Sequence, residues 1–252
     1  MGLDFFQIAS INISKGRNFS KKLATWLELN QHCLLCHQSS GYLICSYCEG
    51  DISYFDHQKY DNNLLNNVAV YLGLSAINFD SLTALAEYQW PLSQLITRLK
   101  FNSKSIHARG LAQLFCSHAL ATKTQLPQAI IPIPLHSSRL AQRKYNQAAI
   151  IALKIAKEAD ILCLTDTLSR TKNTSAQTEL TAHQRQLNTQ GAFAINSPLP
   201  QPLTHIALFD DVVTTGATMS SAAEVLRREY PEMQIDAWTI CITPKKNQTN
   251  SA

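Results

Sequence analysis

The sequence predicts an α/β protein: a mostly parallel, twisted sheet flanked by helices, preceded by a small zinc-ribbon-like module. Three observations carry that expectation. From residue 81 onward, short apolar runs alternate with amphipathic stretches of helical period, the pattern of strands joined by crossover helices. One apolar run, Ile206 to Phe209, ends in Asp210 and Asp211 and passes directly into Thr214-Thr215-Gly216-Ala217-Thr218. Four cysteines, Cys33, Cys36, Cys45 and Cys48, fall within one short N-terminal stretch.

Taken in order, Phe19 to Leu29 is expected to form a short helix, and the polar run Gln58 to Asn67 a linker. Ser81 to Tyr88 is expected to be a strand, weakened by Ala84 and Ala86. Trp90 and Pro91 open a helix whose apolar stripe is Leu92, Leu95, Ile96 and Leu99. A second helix is expected over 106–121, and Ala129 to Pro134 is a short buried strand. Gln147 to Ala159 places Ala148, Ile151, Ala152, Ile155 and Ala156 on one helical face. A short strand falls near Leu168, and the polar residues 171–190 are expected to form a mobile loop. Thr204 to Asp210 is apolar enough for the interior of a parallel sheet. Met219 to Tyr230 is a helix stopped by Pro231, and Gln234 to Ile242 is the last strand. The domain organisation expected is 1–57 for the N-terminal helix and metal module, 58–245 for the α/β domain, and 246–252 for a disordered tail.

The cysteine spacing is C-x2-C-x8-C-x2-C. Each C-x-x-C presents two thiolates to one tetrahedral Zn2+, and two such knuckles complete its shell, leaving no open position for catalysis. Ser39, Ser40 and Gly41 suit a tight turn between the knuckles. Redox or simply buried cysteine pairs are the alternative, and His32 and His37 flank the first knuckle as substitute ligands. Cys116, Cys163 and Cys241 lie singly in apolar stretches and are expected to be core residues.

The Asp-Asp/Thr-Thr-Gly stretch carries the chemistry. Ligands of open α/β sheets bind beyond the carboxyl ends of the strands. A glycine there allows close backbone approach, and the N-terminus of the next helix offers free N–H groups to an anion. Threonine hydroxyls add neutral donors. Two carboxylates beside such a cradle can accept hydrogen bonds from a vicinal diol or hold Mg2+, directly or through water.

Ile206 to Thr218, four hydrophobics, two acids and T-T-G-x-T, resembles the 5-phosphoribosyl 1-pyrophosphate (PRPP) motif of type I phosphoribosyltransferases. Three further segments, YQWPLSQLITRLKF (88–101), PIPLHSSRLAQRKYNQAA (132–149) and LSRTKNTSAQTELTAHQRQLNTQGAF (168–193), resemble those of the ComF (GntX-like) family. Its usual arrangement also sets a four-cysteine module ahead of a transferase-like domain. The resemblance implies a type I phosphoribosyltransferase-like fold that binds PRPP through Asp210, Asp211, Val213, Thr214, Thr215, Gly216, Ala217 and Thr218. It implies pyrophosphate contacts from Arg139, Arg143, Asn146, Gln147 and Gln177, and a catalytic lid bearing Arg170, Lys172 and Arg185. The implied cofactors are structural Zn2+ on Cys33, Cys36, Cys45 and Cys48, and Mg2+ with PRPP. Phosphoribosyl transfer would need an acceptor, a nucleobase or nucleotide. The family is associated with natural competence and uptake of transforming DNA, so single-stranded DNA or the uptake machinery are expected partners. A PRPP- or nucleotide-binding module without turnover is the alternative.

Charge fits the first reading. The chain has a net charge of +4 over 252 residues, too mild for a nucleic-acid coat protein. Residues 127–204 carry eight Lys+Arg against four Asp+Glu, whereas 205–252 carry four against six. The cationic excess therefore gathers in the two segments expected to face pyrophosphate. Residues 1–60 are balanced, five against five, which argues against a basic DNA patch on the cysteine module. Tyr42, Tyr47, Tyr54 and Phe55 are candidates there for base stacking or for packing. With no apolar run of membrane-spanning length and no signal-peptide pattern, a cytoplasmic protein without membrane insertion is expected.

Overall fold

The computed structural model describes residues 31–75, 77–102, 105–171, 191–200 and 202–243. The helix expected over 19–29, most of the 171–190 loop and the 246–252 tail lie outside the described residues. The chain divides into two compact units, one ending at Glu49 and one beginning at Gly50.

In the first unit the segment 32–39 is a hairpin closed by an antiparallel bridge between His32 and Ser39. Its turn is the first knuckle: Cys33 N–H donates to the Gln38 carbonyl (2.8 Å) and His37 N–H to the Cys33 carbonyl (3.0 Å). The second knuckle sits at the start of α1 (Ser46–Gly50).

In the second unit the described strands form a five-stranded parallel sheet of order β1-β7-β6-β2-β3. These are β1 (Ser81–Glu87), β2 (Ala129–Pro132), β3 (Leu162–Cys163), β6 (His205–Val213) and β7 (Gln234–Ile242). A separate antiparallel pair is made by β4 (Leu168–Arg170) and β5 (Phe193–Ile195). The helices are α2 (Val68–Gly73), α3 (Leu92–Asn102), α4 (Ser105–Leu114, continued by a π-turn over Phe115–Ala119), α5 (Ser137–Arg143), α6 (Gln147–Ala159) and α7 (Ala217–Glu229). The parallel sheet flanked by helices is the architecture expected.

Strand alternation sorts the core into two layers. Ile206, Leu208, Ile235 and Ala237 join the cluster that takes Met219, Ala222, Ala223 and Leu226 from α7. Phe209 and Trp238 point the other way, against Phe115 of the π-turn, at centroid separations of 6.1 and 5.6 Å. All three are fully buried, each worth about 1.5–3 kcal/mol over exposure. At the amino end of the strands, Asp236 Oδ2 stands 3.2 Å from His205 Nε2 and 3.8 Å from Lys123 Nζ. Burial alone would raise the Asp236 carboxyl, but His205 and Lys123 outweigh it and hold it below the ordinary range.

The run 58–67 is not the linker its polarity suggests. It forms two 3-10 turns, Gln58–Tyr60 and Leu64–Asn66, with Leu64 fully buried. Its asparagines bond to the backbone. Asn63 Oδ1 accepts from the N–H groups of Leu65 and Leu82, and Asn67 Oδ1 caps α2 through Ala69 and Val70. Tyr54, Phe55 and His57 also belong to this unit. Tyr54 bridges to Ala86, Phe55 N–H donates to the Leu85 carbonyl, and His57 Nε2 lies 3.0 Å from the Ala84 carbonyl.

Candidate functional site

The site begins where two neighbouring strands end at different heights. Pairing of β6 with β2 stops at Pro132–Phe209, while pairing with β7 continues to Val213–Ile242. Asp210 and Asp211 therefore lie inside the strand, held by β7 on one side and beyond the end of the β2 ladder on the other. The strand expected from sequence ends at Asp210; the ladder to β7 carries it to Val213.

Beyond β6, Gly216 adopts φ 74° as the residue ahead of α7, a left-handed conformation that glycine takes without strain. A shallow hollow there is lined by Asp210 and by residues Val212 to Met219. Val213 and Ala217 are buried, Thr214 is exposed, and Thr215 and Thr218 are half-buried. The turn is braced from behind: Ser75 N–H and Oγ both donate to the Thr215 carbonyl, at 2.9 and 3.2 Å. The helix amino end faces the hollow, as anion binding requires.

The acid pair is asymmetric. Lys100 Nζ, from α3, lies 2.7 Å from Asp211 Oδ2. Asp211 N–H donates to Asp210 Oδ1 (2.9 Å). Burial, and then the Asp211 carboxylate, push the Asp210 carboxyl well above its usual range, with Lys100 acting in the opposite sense. Lys100 was not singled out from sequence, although it stands in the L-K-F of the 88–101 segment. Its place is fixed over distance: the Tyr145 hydroxyl donates to the Leu99 carbonyl, tying the end of α3 to the turn before α6.

Arg139 and Arg143 lie on α5, the helix that follows β2. Arg170, on β4, sets its guanidinium over the Phe193 ring, 5.4 Å from the centroid. Burial lowers its pKa, Arg139 of α5 adds to that, and Asp210 opposes it, so all three share one electrostatic neighbourhood. Arg143 Nη1 donates to Gln147 Oε1 (3.3 Å). Asn146 caps α6 through Ala148 N–H (3.0 Å) and donates to the Ile133 carbonyl (2.9 Å), so its side chain shapes the loop after β2. Gln147 is buried. Lys172, Gln177 and Arg185 lie outside the described residues.

The four cysteines converge: their Sγ atoms all lie within 4.8 Å of one another. Thiolates roughly 2.3 Å from a tetrahedral zinc stand about 3.8 Å apart, and Cys36 Sγ is 3.7 Å from Cys45 Sγ. That spacing suits a metal and is far too long for a disulfide. Burial raises the Cys33 thiol, but backbone N–H groups of Cys45, Cys36 and Leu35 outweigh it and bring it to about 6. The four cysteines thus fit a metal such as zinc. His32 and His37 are not part of the cluster. Of the other three cysteines, Cys241 is buried and Cys116 and Cys163 are half-buried; burial pushes the latter two thiols to about 12 and 11.

Of the candidate aromatics, Tyr54 stacks on His118 (centroids 3.8 Å apart) and Phe55 packs against the core. Tyr42 and Tyr47 are 75% and 84% exposed. Among the described residues no helix is long and apolar enough to cross a membrane.

The fold and site define an α/β protein with a carboxylate-and-helix-end crevice at the carboxyl edge of its sheet and a separate four-thiolate module. No protein-family model matches the chain. Against individual proteins it is 33% identical over 203 residues to competence protein F of Haemophilus influenzae, covering 77% of this chain and 88% of that one. It is 33% and 32% identical to the DNA utilization proteins YhgH of Salmonella typhimurium and Escherichia coli K12, over 64% of this chain and 72% of each of theirs. The chain belongs to the competence protein F (ComF) family.

Proposed function

We propose that the chain binds PRPP and transfers its phosphoribosyl group to a nitrogen acceptor, releasing pyrophosphate, in the handling of incoming DNA. One observation carries the reading: Asp210 and Asp211 stand where β6 outruns β2, directly ahead of a left-handed glycine and a helix amino end. The 5′-phosphate would rest on the Thr214–Thr218 turn and the ribose hydroxyls on the acid pair. Pyrophosphate would face Arg139, Arg143 and Arg170, with Lys172, Gln177 and Arg185 closing over it and Mg2+ arriving as part of the substrate. The C1–oxygen bond to pyrophosphate breaks as the acceptor nitrogen bonds C1, and no protein nucleophile is required. The chain's part is positioning and charge stabilisation. Cys33, Cys36, Cys45 and Cys48 would hold structural zinc. The names of the relatives, competence protein and DNA utilization protein, support a place in uptake or use of transforming DNA.

A binding module without turnover is the second reading. It is favoured by Tyr42 and Tyr47, exposed side chains in the cysteine unit that offer faces to nucleic-acid bases. Pyrophosphate release from Mg-PRPP, screened against nucleobases, amines and single-stranded DNA, tests both. Release with one acceptor class supports the transferase; PRPP binding with no release supports the module. Absence of PRPP binding refutes the site assignment.

A further inference from the structure

Among the described residues, Lys100 is the lysine that forms an ion pair with the acid pair, and neither the fold class nor the phosphate turn requires it. It reaches Asp211 from α3, a different segment of the chain, and its side chain is only 23% exposed. The contact is to Asp211 Oδ2, an oxygen that is itself buried. The end of α3 is held by the Tyr145–Leu99 hydrogen bond. An ammonium 2.7 Å from Oδ2 stands on the approach to that oxygen that a divalent cation would need, since such a cation must come within about 2.0–2.6 Å of carboxylate oxygen.

We infer that Lys100 is a positioning and specificity-determining residue: a built-in counter-ion that reserves the Asp210–Asp211 pair for neutral vicinal hydroxyls and keeps divalent metal off it. This rests on the proposed ribose role of the pair. It goes further in assigning that role to metal-free recognition, with any Mg2+ confined to the pyrophosphate side. The state of Asp210 agrees, because a carboxyl held up by burial and by Asp211 is a poor metal ligand.

The test uses the full-length protein and two probes. Mn2+ alone is followed by electron paramagnetic resonance, and ribose 5-phosphate in excess EDTA by calorimetry. Wild type is expected to hold no Mn2+ at the pair and to bind ribose 5-phosphate without metal. Lys100→Met is expected to weaken ribose 5-phosphate by about tenfold or more. It should also gain a Mn2+ site that disappears in Lys100→Met/Asp211→Asn. Lys100→Arg should restore both behaviours, and Lys100→Gln, which keeps a donor without charge, should resemble Lys100→Met. Mn2+ at the pair in wild type, or no gained site in folded Lys100→Met and Lys100→Gln, overturns the inference. If wild type binds neither ribose 5-phosphate nor PRPP, the proposed function fails by itself, and the Mn2+ measurement still decides the role of Lys100.

Discussion

The cysteine unit and the crevice of the sheet are two sites built by opposite routes. Cys33, Cys36, Cys45 and Cys48 are neighbours in sequence and become neighbours in space through one hairpin and the start of α1. The crevice draws Lys100, Arg139, Arg170, Asp210 and Asp211 from four segments, and only the fold brings them together. A local site has few ways to be wrong once its spacing is right. An assembled site depends on every helix end and strand end that supports it.

That contrast can be broken experimentally. Removing metal is expected to have the largest effect. If the four cysteines hold zinc, chelation should release about one ion per chain and unfold the cysteine unit, since zinc binding is worth roughly 10–16 kcal/mol in comparable small sites. PRPP affinity should stay within about twofold, as expected for separate units. A metal assay with calorimetry checks both, and loss of PRPP binding on chelation would erase the distinction between local and assembled sites. Next, Asp210→Ala/Asp211→Ala should reduce PRPP affinity by about 100-fold or more while zinc content is unchanged; full affinity would remove the acids from the site.

Asp236→Asn is a control at the other end of the strands. It strips Lys123 and His205 of their carboxylate and should cost about 3 kcal/mol in denaturant melts, with little change in PRPP affinity. Because the folded Asp236 carboxyl lies below its ordinary value, its contribution is present above pH ~4 and is lost as pH falls through the folded value. The acid limb of stability should therefore be shallower in the variant. Gly216→Ala places a side chain at φ 74° and should cost about 1–2 kcal/mol, together with phosphate affinity. Asn146→Ala should be mildest, about 1 kcal/mol for a lost helix cap. A melt of each variant with and without PRPP separates stability from binding.

What could be read from the sequence follows the same division. Gln147–Ala159 and Gln234–Ile242 match their expected ranges because each has an unbroken period and a clear stop: Asp160 ends the first in a left-handed turn, and Ile242 is the last apolar residue of the second. The helix expected from Met219 begins at Ala217, since the glycine at 216, not the first apolar residue, sets its start. Residues 58–67 look like linker by polarity, but Asn63, Asn66 and Asn67 there bond to backbone groups and shape the turns. Composition cannot distinguish an asparagine facing water from one capping a turn. Helix α5 has no buried residue and gives no apolar stripe to find. Lys100 could not be linked to Asp211 at all, because their approach depends on where α3 ends and on Tyr145 holding that end.

The unequal lengths of β2 and β6 have a consequence for the thermodynamics of recognition. The acids project from backbone already fixed by its ladder to β7, and the adjoining turn is pinned by Ser75. A sugar phosphate entering the notch therefore finds these groups ordered in advance. Little conformational entropy is lost there on binding, so association at the notch should be fast and enthalpic.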